Sequence, residues 1–128
     1  KLILIKTKAF HLDTVFTTIM DQHGRLCAVI VCKDLISKDS FDLLNKFSDL
    51  NNIKIINIPP IDSIGTNNNI GSLAVNNFSA PGLLISSSRF SEPFVAKYLN
   101  SKNIKMETTP VSQFQLSGGS IHCLTNEL

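Results

Sequence analysis

The sequence predicts an α/β fold assembled from a repeated strand–strand–helix–strand unit. Three observations predict it. Apolar, β-branched runs alternate with one amphipathic stretch of helical period in each half of the chain. Corresponding elements recur at similar separations: Val15 and Leu73 are 58 residues apart, Leu26 and Leu83 57, Ile53 and Ile104 51. Turn residues fall between the runs at matching places, His23-Gly24 in the first half and Pro81-Gly82 in the second. The units span about 14–58 and 72–109, followed by a terminal segment 110–128. A repeat of about 50 residues suits a propeller or array, since two units alone leave open sheet edges. An ordinary two-layer domain with a mixed sheet is the alternative.

In chain order, residues 1–8 begin apolar on both faces and predict a central strand. In the segment after them His11 and Asp13 stand two apart, on one side if the chain is extended. Residues 15–20 and 26–32 predict a hairpin through Gly24. Ser37, Asp39 or Ser40 caps a helix over 41–50, with a stripe of Phe41, Leu43, Leu44, Phe47 and Leu50. A strand follows at 53–58, ended by Pro59-Pro60. After an Asn-rich loop at 61–71, strands are predicted at 73–78 and 83–86. Ser91 caps a helix over 92–100 that buries Phe94, Val95, Tyr98 and Leu99, and a strand covers 104–108. Residues 111–116 alternate and read as extended, leading to Ser117.

Composition excludes several classes. The 128 residues are 43% hydrophobic and 17% charged, with net charge +2. No cluster of Lys and Arg stands out, which argues against nucleic acid. No apolar run approaches the roughly 18 residues of a membrane span. The apolar start is too short for a secretory signal. Cys27, Cys32 and Cys123 have neither disulfide nor metal spacing. Cys27 and Cys32 read as core thiols of a reducing, cytoplasmic compartment. Lys1 already stands within a strand-like run, so further units are expected before it or from another chain, a homo-oligomer partner included.

Chemistry concentrates in the last dozen residues, where Ser117-Gly118-Gly119-Ser120 leads into Ile121-His122-Cys123. Adjacent glycines permit unusual backbone angles and close approach. A cysteine behind such a loop can meet a substrate as a thiolate nucleophile. The structural alternative is a turn followed by a core cysteine in a final strand. His11 is a candidate proton donor for the thiol's chemistry and Asp13 a carboxylate to orient a cation. His122, next to Cys123 in a strand, would face away from it. His23 reads as a solvated turn residue. A zinc site from His11, His122 and Cys123 has no spacing to recommend it, and no cofactor motif is present.

The stretches Phe10-His11-Leu12-Asp13-Thr14-Val15-Phe16-Thr17 and Ser117-Gly118-Gly119-Ser120-Ile121-His122-Cys123-Leu124-Thr125 both resemble motifs of the guanidino-group-modifying enzymes. That superfamily contains arginine, agmatine and dimethylarginine hydrolases, arginine dihydrolases and amidinotransferases. The first stretch is similar to the segment carrying the catalytic histidine, the second to the segment carrying the nucleophile near the C-terminus. The resemblance implies that the chain is the C-terminal portion of one catalytic domain, part of a pseudo-fivefold α/β propeller. It implies catalytic Cys123 and His11, substrate-binding Asp13, a supporting loop at Gly118 and Gly119, and no metal or cofactor. The implied partner is a small guanidino substrate such as arginine. The implied reaction is hydrolysis of a guanidino C–N bond to a ureido product and ammonia. Amidino transfer to an amine, and a non-catalytic fragment or subunit that keeps the fold, remain alternatives. Family members also use an Asp and a Glu from earlier units, for which this sequence has no match.

Overall fold

The computed structural model describes residues 2–125. Lys1 and residues 126–128, the ends of the predicted first strand and of the terminal segment, lie outside the described residues. The chain is mixed α/β with small sheets. In the first half, β1 (Phe16–Met20) pairs antiparallel with β2 (Leu26–Val31), α1 (Lys38–Asn51) crosses over, and β3 (Lys54–Asn57) lies parallel to β2. The short strands β4 (Gly65–Thr66) and β5 (Asn69–Ile70) form a small ribbon. The second half repeats the arrangement. β6 (Phe78–Ala80) pairs antiparallel with β7 (Leu83–Ser86), α2 (Pro93–Ser101) crosses over, and β8 (Lys105–Thr108) lies parallel to β7. Two short helices, α3 (Ser112–Leu116) and α4 (Ile121–Leu124), follow.

Each three-stranded sheet is ordered as hairpin, then crossover strand, so β2 and β7 are central. Residues 28–31 of β2 are all apolar and all buried, the pattern of a strand covered on both faces of its sheet. Ile19, Ile30, Ile56 and Ile58 from the first half join Leu84, Val95, Leu99 and Ile104 from the second in one core. The Tyr98 hydroxyl reaches across to donate to the Cys27 carbonyl at 3.0 Å. Burial, reinforced by the neighbouring Cys27, pushes the Tyr98 phenol up to about 12. Burial likewise raises the Cys27 and Cys32 thiols.

Helix α1 starts at Ser37, whose Oγ accepts the Ser40 N–H at 3.3 Å, and stops at Asn52 in the left-handed conformation with φ 55°. Its buried stripe is narrower than the five residues predicted. Leu44 is buried, Phe41 and Phe47 are half-buried, and Leu43 and Leu50 are exposed. Small Ser40 and Ser48 are buried as well, and the Ser40 hydroxyl accepts the Lys6 N–H at 2.8 Å. Ser91 does not cap α2: its N–H and hydroxyl donate to the buried Asp62 carboxylate at 2.9–3.0 Å. Phe94, predicted to be buried, is half exposed, with the Lys54 ammonium 5.9 Å from its ring centre.

Three predicted strands take other forms. Residues 2–8 run alongside the segment before α1, joined by a single bridge between Thr7 and Ile36 and by the Lys8 N–H to the Leu35 carbonyl. Leu2 and Leu4 stay exposed because no strand of the described residues flanks them. Residues 73–77 form a buried turn, and the strand begins only at Phe78. Asn77 explains this: its carboxamide donates to the Ala74 and Val75 carbonyls, which a ladder would otherwise use. Residues 112–116 coil into α3, because the Phe114 and Gln115 N–H groups find the Val111 carbonyl locally.

Candidate active site

The site is built where the start of the first unit meets the end of the chain. Leu12–Thr14 form one 3₁₀ turn ahead of β1. The Thr14 hydroxyl donates to the His11 carbonyl at 2.6 Å, and the Ser63 hydroxyl donates to the Thr14 carbonyl. The Cys32 N–H holds the Val15 carbonyl at 2.8 Å. This anchored turn presents the Asp13 carboxylate.

The opposite wall comes from the glycine pair. The Gly118 N–H bonds the Gln115 carbonyl at 3.0 Å, and the Gly119 N–H bonds the Phe114 carbonyl at 3.1 Å. These two bonds close α3, with Gly118 left-handed at φ 85°. Gly119 lies against the cysteine: a Cβ there would sit 3.4 Å from Cys123 Cβ and 3.6 Å from its Sγ. The pair therefore ends one helix and makes room for the next. Ser120 is wholly buried, and the Thr125 hydroxyl closes α4 by donating to the His122 carbonyl at 2.9 Å.

The helical turn of α4 places His122 and Cys123 beside Asp13 together, where a strand would have separated them. His122 Nδ1 lies 3.0 Å from Asp13 Oδ2, the geometry of an N–H donating to a carboxylate. Cys123 Sγ lies 3.5 Å from the same oxygen. The thiol is exposed, unlike those of Cys27 and Cys32. The other oxygen, Asp13 Oδ1, is buried and has no hydrogen-bond partner among the described residues. Beside this corner a cavity of about 300 Å³ opens between β1 and β6, with Asp13 and His122 on its wall.

Of the sequence-predicted residues, the fold brings Asp13, Cys123 and Gly119 together. His11 stands at the head of the Asp13 turn, exposed, with its ring packed edge-on against Phe10 at 4.6 Å between centres. No hydrogen bond joins that ring to Asp13 or Cys123 among the described residues. Two participants differ from the sequence expectation. His122, expected on the far side of a strand, shares the site. Asn76, within an apolar run, is buried and contacts both walls. A pair of asparagines interrupting such a run is the available signal, since buried amides need partners. Among the described residues no group of three or more His, Cys, Asp and Glu could hold a metal ion, and no helix is long and apolar enough to cross a membrane.

No protein-family model matches the sequence, and no curated protein matches it with significance. Solved structures do share its fold. ArgZ, described as an arginine dihydrolase from the ornithine–ammonia cycle in cyanobacteria, aligns in its apo form with a TM-score of 0.72 at 17% identity. The alignment covers 95% of this chain and 17% of ArgZ. The N-terminal domain of ArgZ bound to product gives 0.72 and 17% identity, over 95% of this chain and 40% of that one. AgrE in a ternary complex with ornithine and NAD+ gives 0.73 at 17% identity, over 94% of this chain and 16% of AgrE. At such identity the likeness is one of fold. Over nearly its whole length the chain shares the fold of ArgZ and AgrE, and it spans about a sixth of their chains.

Proposed function

We propose that this chain is the C-terminal portion of the catalytic domain of a hydrolase that cleaves a guanidino C–N bond through a covalent intermediate on Cys123. One observation carries the reading. In a fold shared with arginine-handling proteins, an exposed thiol stands 3.5 Å from a carboxylate whose second oxygen has no partner among the described residues. An unpartnered buried acceptor is costly, and a turn of the carboxylate would bring it within reach of a planar cation with several N–H donors. A mutant of AgrE forms a binary complex with L-arginine, and one ArgZ domain carries a covalently bound reaction intermediate. Both suit a substrate such as arginine here. In this reading the units at 14–58 and 72–109 belong to a pseudo-fivefold propeller. Its remaining units, with an Asp and a Glu of the site, lie outside this chain or come from a partner copy. The unpaired cysteines suit a reducing cytoplasm.

The chemistry runs as follows. Asp13 accepts N–H bonds from the guanidinium and sets its carbon beside Sγ. The substrate's positive charge favours the thiolate. The sulfur lone pair forms a C–S bond, and the adduct collapses by breaking a C–N bond. His11 gives its proton to the departing nitrogen, so ammonia leaves and a thiouronium remains. His11 then takes a proton from water, the oxygen bonds to carbon, the C–S bond breaks, and a ureido product leaves. For this cycle the His11 ring swings off Phe10 toward the sulfur.

The test is to incubate the longest natural polypeptide carrying residues 1–128 with arginine and to follow citrulline, ornithine and ammonia. Hydrolysis without an added amine, lost in Cys123→Ser, is the expected result. Ornithine formed only with an amine acceptor would mark amidino transfer. No product from any guanidino compound would mark a non-catalytic fold.

A further inference from the structure

Asn76 is wholly buried, and its carboxamide spans the two segments that carry the candidate residues. Its Nδ2 lies 3.4 Å from the Asp13 carbonyl and 3.4 Å from Cys123 Sγ. Its Oδ1 accepts the Cys123 N–H at 3.4 Å, and its carbonyl accepts the His122 N–H at 3.3 Å. The orientation of the amide follows from these partners. The Cys123 N–H can only donate, so Oδ1 faces it; the Asp13 carbonyl can only accept, so Nδ2 faces it. An N–H is thereby aimed at the sulfur. The main chain is bent to deliver this contact. Leu73 takes the left-handed φ of 53°, and the Asn76 N–H bonds back to the Leu73 carbonyl at 3.0 Å. A branched-side-chain residue held there is strained, and such strain persists only where surrounding contacts enforce it.

We infer that Asn76 is a positioning residue for Cys123, holding its turn in place and stabilising its thiolate through the Nδ2–H···S contact. The sulfur has two polar neighbours: the Asp13 carboxylate, which can accept from the S–H, and the Asn76 amide, which donates to the sulfur. When the proton leaves, the bond from Asn76 becomes charge-assisted and strengthens. The inference rests on the reading of Cys123 as a nucleophile but not on a guanidino substrate.

The test therefore uses no substrate. Alkylation of Cys123 by iodoacetamide is followed by peptide mass spectrometry across neutral and alkaline pH, with half-buried Cys27 of the same molecule as the reference. Asn76→Asp keeps the shape and the acceptor for the Cys123 N–H but removes the donor. Asn76→Ala removes the donor without adding charge. At neutral pH the expected result is an alkylation rate lower by about tenfold, the size of one charge-assisted hydrogen bond, in either variant. The rate–pH curve moves to higher pH, and the Cys27 rate is unchanged. A role in folding alone predicts the reverse, faster reaction at both cysteines as the structure loosens. Cys123 reacting as fast as in the parent, or faster, in either variant overturns the inference. Slower Cys123 alkylation in both variants of a parent protein that turns over no guanidino compound would keep the inference and count against the hydrolase reading alone.

Discussion

At the scale of the residue, the decisive group is a carboxylate with two different oxygens. Asp13 Oδ2 is shared by His122 and Cys123, while Oδ1 is buried without a partner among the described residues. A group so placed is held ready for a donor that the described residues do not supply. The prediction is that Asp13→Asn weakens arginine binding. Replacing a charge-assisted acceptor by a neutral one should raise the Kd or KM by about 10- to 100-fold, with a smaller effect on the rate of the bound complex. Calorimetry with arginine checks this, and unchanged affinity would remove Asp13 from the binding role. The two histidines are separable in the same assay. His11→Ala should abolish turnover while arginine still binds. If His122→Ala alone abolishes it, the proton donor is His122, whose ring already touches Asp13.

At the scale of the element, legibility in the sequence depends on whether a signal is local. The β1–β2 hairpin is legible because alternating β-branched residues flank a turn with its own chemistry. Asp21 accepts the His23 and Arg25 N–H groups at 2.8 and 3.0 Å and pairs with the Arg25 guanidinium. The Arg25 N–H is the largest influence holding the Asp21 carboxyl below its ordinary 3.8; desolvation opposes it, and the His23 N–H and the Arg25 side chain add to it. A depressed carboxyl stabilises the fold above its unfolded-state value, and that stability is lost as the pH falls through the folded-state value. Asp21→Asn should therefore lower Tm at neutral pH, and the difference should vanish in strong acid. A deficit of equal size at every pH would contradict it. The end of the chain is not legible, because the alternation at 111–116 is compatible with a strand while its hydrogen bonds close locally into α3. Gly118-Gly119 reads in the sequence as an access loop, and its first conformational duty is to terminate α3. Gly118→Ala meets no neighbour within 4 Å but must hold φ near 85°. It should destabilise by about 1 kcal/mol through backbone strain alone, measurable by denaturant unfolding. The position of His122 is hidden for the same reason, since a strand and a helical turn send adjacent side chains in different directions.

At the scale of the whole molecule, the chain is two copies of one plan on a shared core, with the candidate nucleophile appended after the second. The repeated order of elements is legible because it survives when individual residues change. The contact between chain ends is suggested only by the paired motifs, since Asp13 and Cys123 lie 110 residues apart. The central claim is that Cys123 forms a covalent intermediate with a guanidino compound. The most direct measurement is acid quenching of the arginine reaction in its first turnovers, followed by mass spectrometry of the peptide carrying Cys123. A thiouronium adduct of arginine that has lost ammonia, confined to that peptide and absent from Cys123→Ser, is the predicted result. Sustained arginine hydrolysis in Cys123→Ser, with no adduct at any time in the parent protein, would contradict it.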